Sequence, residues 1–280
     1  MIRKSSFLQI SASLLVLVSV KCLPATSDPA QDGISKTMGQ VHESACKGNT
    51  MLWTKSNTNW QSLKLADSFT LYQNVWQGDK VLDGGKSEII CDSFQQGSLA
   101  WRTDFAMPSA PQDDNQVKAY TNVAWAGDSI QLKQLNTFNT VWDWKLSDES
   151  KDIVADVSYD IFLASHRECR EQKCASREVM IWLSAINGAK PAGTRVGTIQ
   201  VGSEQFQVWQ GTVNVPVVSI FPVDADRQIN SFKADFKKLL KKLDQFGVLQ
   251  DEYIVSVGAG VEIFKGSGNL TTSKYTIELY

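Results

Sequence analysis

Residues 177–185 read REVMIWLSA, and this stretch decides the fold class. Successive side chains of a β-strand point to opposite faces of a sheet, so the stretch divides into two sets. The aliphatic set comprises Val179, Ile181 and Leu183. The other set comprises Glu178, Met180 and Trp182. The aliphatic set predicts a face turned into a core, which leaves a glutamate, a thioether and an indole together on the opposite face.

The same alternation, or a run rich in β-branched and aromatic residues, recurs along most of the chain. The predicted strands are residues 68–76, 98–105, 118–126, 153–164, 177–185, 194–201, 205–209, 212–221, 253–264 and 274–279. Glycine, asparagine, aspartate and proline separate these runs. Many short strands without intervening helices predict an all-β fold, an antiparallel sandwich or jelly roll, rather than a parallel α/β sheet.

One segment follows a helical period instead. Its apolar residues are Ile229, Phe232, Phe236, Leu239, Leu240, Leu243 and Phe246. Lysines cover the other side, and Gly247 follows as a stop signal. The pattern predicts one amphipathic helix over residues 229–246, with a solvated lysine face rather than a patch for membrane or nucleic acid.

The amino terminus has the pattern of an export signal. Arg3 and Lys4 precede an apolar run from residue 7 to residue 20, which is short for a membrane span. We predict a signal peptide over residues 1–25, a flexible polar leader over residues 26–44 and one domain over residues 45–280. The expected location is extracellular, without membrane attachment after cleavage; a membrane-anchored protein is the alternative.

Composition limits the classes of partner. The chain of 280 residues has 28 basic and 30 acidic side chains, a formal charge of −2, so it lacks the basic surplus typical of nucleic-acid binding. Two histidines argue against a histidine-rich metal centre, whereas 9 tryptophans allow aromatic surface outside the core.

Four of the five cysteines lie beyond the predicted signal peptide, and an exported protein can oxidise them. Three pairings are possible. Cys169 and Cys174 enclose four residues of a polar loop, which favours a local bridge and leaves Cys46 to pair with Cys91. The alternative is a zinc site that combines the local pair with His166, but it lacks a suitable fourth ligand nearby.

The strand over residues 253–264 carries a second glutamate. Alternation turns Tyr253, Val255, Val257, Val261 and Ile263 inward. The outward set is Ile254, Ser256, Gly258, Gly260, Glu262 and Phe264. The two glycines leave room for a close approach to the backbone. The alternative for Glu262, as for Glu178, is an ordinary exposed strand position.

A third carboxylate lies on the strand over residues 153–164. Alternation places Asp160 on the polar face, and the chain then turns through the loop at residues 169–174 directly into residue 177. Antiparallel neighbours would bring Asp160 close to Glu178. Two close carboxyl groups do not both ionise easily, so one is expected to keep a proton and hydrogen-bond the other. A solvent-facing aspartate is the alternative.

Two glutamates facing each other beside indoles suit glycoside hydrolysis, which needs a proton donor for the leaving oxygen and a carboxylate at the anomeric carbon. Aromatic rings stack on sugars. Trp76 and Trp182 are the first candidates for such platforms. Trp53, Trp101, Trp142 and Trp144 are further candidates, each more typical of a core.

Four motifs resemble glycoside hydrolase family 12, in the family's order. Residues 178–182 (EVMIW) resemble its nucleophile strand Glu-x-Met-Ile-Trp, and residues 260–266 (GVEIFKG) resemble its acid/base segment Gly-Thr-Glu-Pro-Phe-Thr-Gly. Residues 72–76 (YQNVW) are similar to Tyr-Asn-Asn-Leu-Trp, and residues 159–160 to a Tyr-Asp pair. The resemblance covers residues 46–280 and implies a β-jelly roll whose concave sheet forms an open cleft.

The resemblance also implies roles. Glu178 is the expected nucleophile, Glu262 the acid/base residue, and Asp160 the partner that tunes Glu178. Retention requires carboxyl groups about 5–5.5 Å apart. Glu262 is expected to have a raised pKa while Glu178 stays ionised.

The expected sugar contacts come from the same motifs. Asn74 and Trp76 would hold sugars, and Met180 and Trp182 would shape the floor of the cleft. The expected activity is retaining endo-hydrolysis of β-1,4-glucan or xyloglucan by a monomer, without metal or other cofactor.

Departures from the family pattern surround the second glutamate. Ile263 stands where the family has proline, and Lys265 where it has threonine, so a cation is expected to depress the pKa of Glu262 if it points that way. Gln73 replaces an asparagine, and residues 46–48 read CKG where the family has Cys-Gly. The loop at residues 169–174 is an addition.

The competing function is a carbohydrate-binding paralogue with weak or no turnover, which would keep Trp76 and Trp182 and be indifferent to the glutamates. Asn269-Leu270-Thr271 is also an acceptor sequon for an N-linked glycan at Asn269.

Overall fold

The computed structural model describes residues 46–280, and the predicted signal peptide and polar leader lie outside the described residues. The strands are β1 (Thr50–Thr54), β2 (Ser62–Ala66), β3 (Phe69–Tyr72), β4 (Lys86–Gln95), β5 (Ser98–Met107), β6 (Ala119–Trp125), β7 (Phe138–Ser147), β8 (Val154–Ala164), β9 (Arg177–Ile186), β10 (Thr194–Val201), β11 (Glu204–Thr212), β12 (Pro216–Pro222), β13 (Ser231–Asp235) and β14 (Tyr253–Leu279). The single α-helix of this part of the chain is α1 (Phe236–Lys242). The all-β prediction is confirmed.

The strands form two sheets that share β14. The first sheet runs in the order β2-β3-β6-β14-β8-β9-β12-β11-β10, and the second in the order β1-β4-β5-β14-β7-β13. One pairing is parallel, β9 with β12. It departs from the antiparallel prediction because the hairpin of β10 and β11 separates β9 from β12 in the chain, so β12 returns beside β9 in the same direction.

The last strand joins the two sheets. Its first half pairs with β6 and β8 in the first sheet, and its second half pairs with β5 and β7 in the second. Gly266 lies at the changeover with φ +86°, a left-handed conformation that glycine adopts without strain. The prediction of separate strands over residues 253–264 and 274–279 is therefore wrong; one strand of 27 residues passes through both.

The predicted helix over residues 229–246 is only partly correct. Its apolar residues are buried as expected, apart from the half-buried Phe246, but the first turns are strand β13, which pairs with β7. Phe232 can point into the core from a strand as well as from a helix. The spacing of apolar residues therefore could not distinguish a strand from a helix in this segment. The side chain of Asp235 accepts a hydrogen bond from the backbone N–H of Lys238, and this cap starts the helix late.

Both predicted disulfides are present. Cys46 is bonded to Cys91, and Cys169 to Cys174. The zinc alternative is excluded because both sulfur atoms of the local pair are in a disulfide. The first bridge attaches the start of the described chain to β4, next to β1.

The main core lies between the two sheets. Val179, Ile181 and Leu183 of β9 belong to it, as predicted, and it also takes in Trp53, Trp101, Trp142 and Trp144. These four indoles are core residues. None of the helices within residues 46–280 is long and apolar enough to cross a bilayer.

Candidate active site

The face of the first sheet that points away from the main core is termed the open face. On β9 it carries Glu178, Met180 and Trp182, because the alternate residues of the strand are in the core. Met180 and Trp182 join a second apolar cluster on this face, with Val117, Val217, Phe221 and Phe264. Glu178 is half-buried at its edge. The division predicted for residues 177–185 is confirmed.

β14 brings the second glutamate to the same face. Val257, Val261 and Ile263 are in the main core, while Phe264 is in the open-face cluster. A bulge between Ile254 and Ser256 interrupts the alternation. Ile254 is therefore a core residue and Val255 lies on the other side, the reverse of the prediction for these two positions. Glu262 lies beyond the bulge, and its predicted orientation is unaffected.

The two glycines before Glu262 leave room for the protein's own strand. A Cβ at Gly260 would lie 2.0 Å from the backbone oxygen of Thr121 in β6. A Cβ at Gly258 would meet the side chains of Tyr120 and Asn122, each at 3.1 Å. The close approach predicted from the glycines is real, and its occupant is β6.

Glu178 has the predicted aspartate partner. Asp160 pairs in register with Met180, and its carboxyl group hydrogen-bonds that of Glu178. Burial raises the pKa of Glu178 to about 7, the charge of Glu262 adds to the rise, and the hydrogen bond from Asp160 lowers it. Burial also raises the pKa of Asp160 well above its ordinary value, followed by the charges of Glu178 and Glu262. Asp160 is therefore the proton donor of the pair.

The pKa of Glu262 is raised, chiefly by burial, as expected. Burial raises the pKa of Glu178 as well, so both glutamates, and not Glu262 alone, have a raised pKa. Lys265 does not point toward Glu262; its ammonium group forms an ion pair with Asp114 at 2.6 Å. The charge of Lys265 is therefore paired with Asp114 and is not directed at Glu262.

Asn74 and Trp76 follow β3 at the edge of the open face. Asn74 has a left-handed backbone, φ +45°, and its amide donates to the Asn122 side chain at 2.6 Å. Trp76 is half-buried, and its indole N–H donates to the backbone oxygen of Val117 at 3.2 Å. Asn122, which pairs with Gly260, was missed by the sequence reasoning; alternation within 118–126 was the available signal.

Met180 and Trp182 support the floor rather than line an open surface. Trp182 is only 2% exposed, so it offers no free ring face for stacking in this conformation. Trp209 of β11, also missed, is half-buried against the same cluster, and its strand pairs it with Ser219 beside Met180. Trp209 lies on the open face because β11 pairs with β12 in this register. The alternation pattern of β11 alone does not reveal that pairing.

Glu178 with its partner Asp160, together with Glu262, at the centre of a sheet flanked by tryptophans define the molecule as a glycoside hydrolase. The family model described as Glycosyl hydrolase family 12 matches residues 67–280. The chain belongs to this family, as the four motifs indicated.

Named relatives agree with this membership. A probable xyloglucan-specific endo-beta-1,4-glucanase A of Aspergillus flavus is 34% identical over 218 residues, which is 76% of this chain and 86% of the relative. A xyloglucan-specific endo-beta-1,4-glucanase 1 of Phytophthora nicotianae is 29% identical over 216 residues, covering 76% and 84%.

Solved structures share the fold. Endoglucanase 3 of Trichoderma harzianum, from family GH12, superposes with a TM-score of 0.72 at 21% identity, covering 83% of this chain and 98% of that one. A native family 12 xyloglucanase from Bacillus licheniformis gives a TM-score of 0.67 at 21% identity, covering 83% and 100%. The jelly-roll prediction is confirmed.

Proposed function

We propose that this protein is a secreted, retaining endo-β-1,4-glucanase that prefers xyloglucan. The observation that carries the proposal is that Glu178 and Glu262 lie on one face of one sheet, where the charge of Glu262 raises the pKa of Glu178. A binding protein has no need for two such half-buried acids, whose charged forms are costly. Relatives described as xyloglucan-specific support the substrate preference.

In the proposed reaction Glu178 attacks the anomeric carbon while Glu262 gives its proton to the departing glycosidic oxygen. The carbon–oxygen bond of the linkage breaks and a glycosyl ester of Glu178 forms. Glu262, now ionised, takes a proton from water, which attacks the same carbon and releases Glu178. Asp160 stabilises the ionised Glu178 before attack and after release, because its hydrogen bond favours the charged form.

The sugar-binding role is assigned to side chains around this centre. Trp76, which follows β3, and Trp209 of β11 are both half-buried and lie on opposite sides of Glu178 and Glu262 in the strand order. Their exposed ring portions suit stacking on sugar rings. Asn74, locked to Asn122, has a fixed position from which to bond a sugar hydroxyl.

The proposal of export is supported by the two disulfides, which form and persist in oxidising compartments. Asn269 lies in β14, half-buried, and its side-chain oxygen accepts a hydrogen bond from the Thr271 hydroxyl at 3.1 Å. A glycan at Asn269, the monomeric state and the location outside the cell remain predictions.

The test measures reducing ends released from xyloglucan, mixed-linkage β-glucan and carboxymethyl cellulose. Glu178→Gln removes the nucleophile and should abolish turnover, whereas Glu262→Gln should lose about 10²–10⁴-fold in turnover, the usual contribution of a positioned acid or base. Glu171→Gln is the matched control, because this glutamate is 58% exposed in the disulfide loop. Proton NMR of the first product should show the β anomer.

Equal sugar release by all the variants would establish the binding-protein alternative. An α-anomeric first product would overturn the retaining mechanism, and faster hydrolysis of unbranched β-glucan would overturn the substrate preference.

A further inference from the structure

A second aspartate of β8 stands opposite the other glutamate. Asp156 shares its face with Ser158 and Asp160, and it pairs in register with Glu262 across the junction of β8 and β14. Residues paired in this way have Cβ atoms roughly 4.5–5.5 Å apart, so their carboxyl groups meet over the sheet. The side chain of Asp156 is fully buried, at 0% exposure.

Asp156 has no conventional donor to satisfy it. Within residues 46–280 neither of its carboxyl oxygens has a hydrogen-bond partner of ordinary geometry, although the Ser158 hydroxyl lies near enough to oppose the rise in the pKa of Asp156. Its carboxyl group meets that of Glu262 as a hydrogen-bonding partner. Two ionised carboxylates both accept and cannot bond each other, so the contact requires a proton on one of them.

We propose that Asp156 is a positioning residue that keeps its proton and donates it as a hydrogen bond to the carboxylate of Glu262. The acid/base glutamate would then have a neutral acid partner, as Glu178 has in Asp160. The inference rests on the acid/base role proposed for Glu262 and extends it.

The charged surroundings favour the proton on Asp156. Burial raises the pKa of Asp156 well above its ordinary value, the charge of Glu262 adds to the rise, the Ser158 hydroxyl opposes it, and Asp160 adds a further rise. The pKa of Glu262 is raised by burial but lowered by its bond with Asp156.

The other neighbours do not supply a competing cation. Tyr120 of β6, which pairs with Glu262, is buried and donates its hydroxyl to the backbone oxygen of Ser158. Burial, together with the nearby acids, raises the pKa of Tyr120, so its phenol stays neutral. Glu178 of β9 is an acid, and Lys265 is paired with Asp114.

The neutral donor has a consequence for both half-reactions. When Glu262 gives up its proton, the hydrogen bond from Asp156 stabilises the carboxylate that forms, which makes Glu262 a stronger acid in the first step. The same bond keeps Glu262 ionised and oriented for its work as a base in the second step.

The test compares pH profiles of kcat/KM for two variants of similar shape. Asp156→Asn keeps a neutral donor, so its alkaline limb should stay within the error of the wild type. Asp156→Leu removes the donor, so the pKa of Glu262 and the alkaline limb should rise by about 1 pH unit. The loss of turnover in Asp156→Leu should be largest with natural glucans and smallest with a dinitrophenyl glycoside, whose leaving group needs no proton.

Three results would overturn the inference. A downward shift of the alkaline limb in Asp156→Asn would mean that Asp156 acts as a charge. If the alkaline limb of the pH profile does not move in either variant, or if Asp156→Leu loses turnover equally with both kinds of substrate, the role of Asp156 is structural. Asp67→Asn is the control, since this aspartate is 69% exposed in a turn.

A second measurement applies if Asp156→Leu does not fold. Infrared spectra of the wild type and Asp156→Asn at neutral pH should differ by one protonated carboxyl band. The absence of that difference would overturn the inference.

Azide separates this inference from the proposed function. Glu262→Ala with the dinitrophenyl glycoside and azide should give a β-glycosyl azide, since azide attacks the anomeric carbon and displaces Glu178. If azide does not rescue Glu262→Ala, the assignment of Glu262 itself is wrong. If azide does rescue it, but the alkaline limb does not move in the Asp156 variants, only the role of Asp156 is wrong.

Discussion

Glu178→Gln should stabilise the folded protein at alkaline pH. Burial is the largest cause that raises the pKa of Glu178 from 4.5 to about 7, and one pKa unit corresponds to about 1.4 kcal/mol. The unfolded chain ionises this glutamate from its ordinary value upward, while the folded protein keeps the proton until about pH 7. The folded state therefore binds more protons in this interval, and the free energy of unfolding falls as pH rises.

The loss attributable to Glu178 is about 3 kcal/mol, complete above the folded pKa and absent below the ordinary one. Glutamine cannot ionise, so the variant should escape this loss. We therefore compare the free energy of unfolding of the variant with that of the wild type at two pH values. The variant's advantage should be about 3 kcal/mol larger in mildly alkaline buffer than in acid.

Urea denaturation at a series of pH values, followed by tryptophan fluorescence, measures this difference. Glu171→Gln, in the exposed loop, should follow the wild-type curve throughout. A constant difference between wild type and Glu178→Gln at every pH would refute the reasoning, because it would mean that the Glu178 carboxyl is not held in a desolvated, acid-rich position.

Three further predictions concern stability and substrate binding. Replacing the Cys46–Cys91 bridge by serines should cost about 4 kcal/mol and the Cys169–Cys174 bridge about 2 kcal/mol, since the closed loops span 45 and 5 residues; equal losses in urea titrations would contradict the loop-entropy account. Trp76→Ala should raise KM for xyloglucan about tenfold, the equivalent of about 1.4 kcal/mol; an unaltered KM would remove Trp76 from the binding site. Gly260→Ala should cost about 1–3 kcal/mol because its methyl group would meet backbone atoms of β6, whereas Gly258→Ala, which meets side chains that can move, should cost less; the reverse order in thermal melts would contradict the packing described.

The amino-acid pattern was sufficient wherever the information was local. Alternation along residues 177–185 assigned Glu178 to the face opposite the core. The same rule assigned Glu262 to that face, although a bulge earlier in the strand reversed two other positions. The short loop between two cysteines was enough to predict both disulfides. The contact between the carboxyl groups of Asp160 and Glu178 was also predictable, because a short loop joins their strands; in register Asp160 faces Met180, two residues from Glu178.

Tertiary structure decided the features that depend on register between distant segments. The pairing of Asp156 with Glu262 sets side by side two strands that are about a hundred residues apart, and neither strand's own pattern specifies which residues meet. Trp182 and Trp209 differ in exposure because of what packs over each, although both alternate onto the same face. β14 continues through Gly266 into a second sheet because partners in both sheets satisfy its backbone, while residues 231–235 extend along β7 in spite of their helical spacing. Periodicity is a property of one segment, whereas register and burial are settled by the free energy of all the strands packing together.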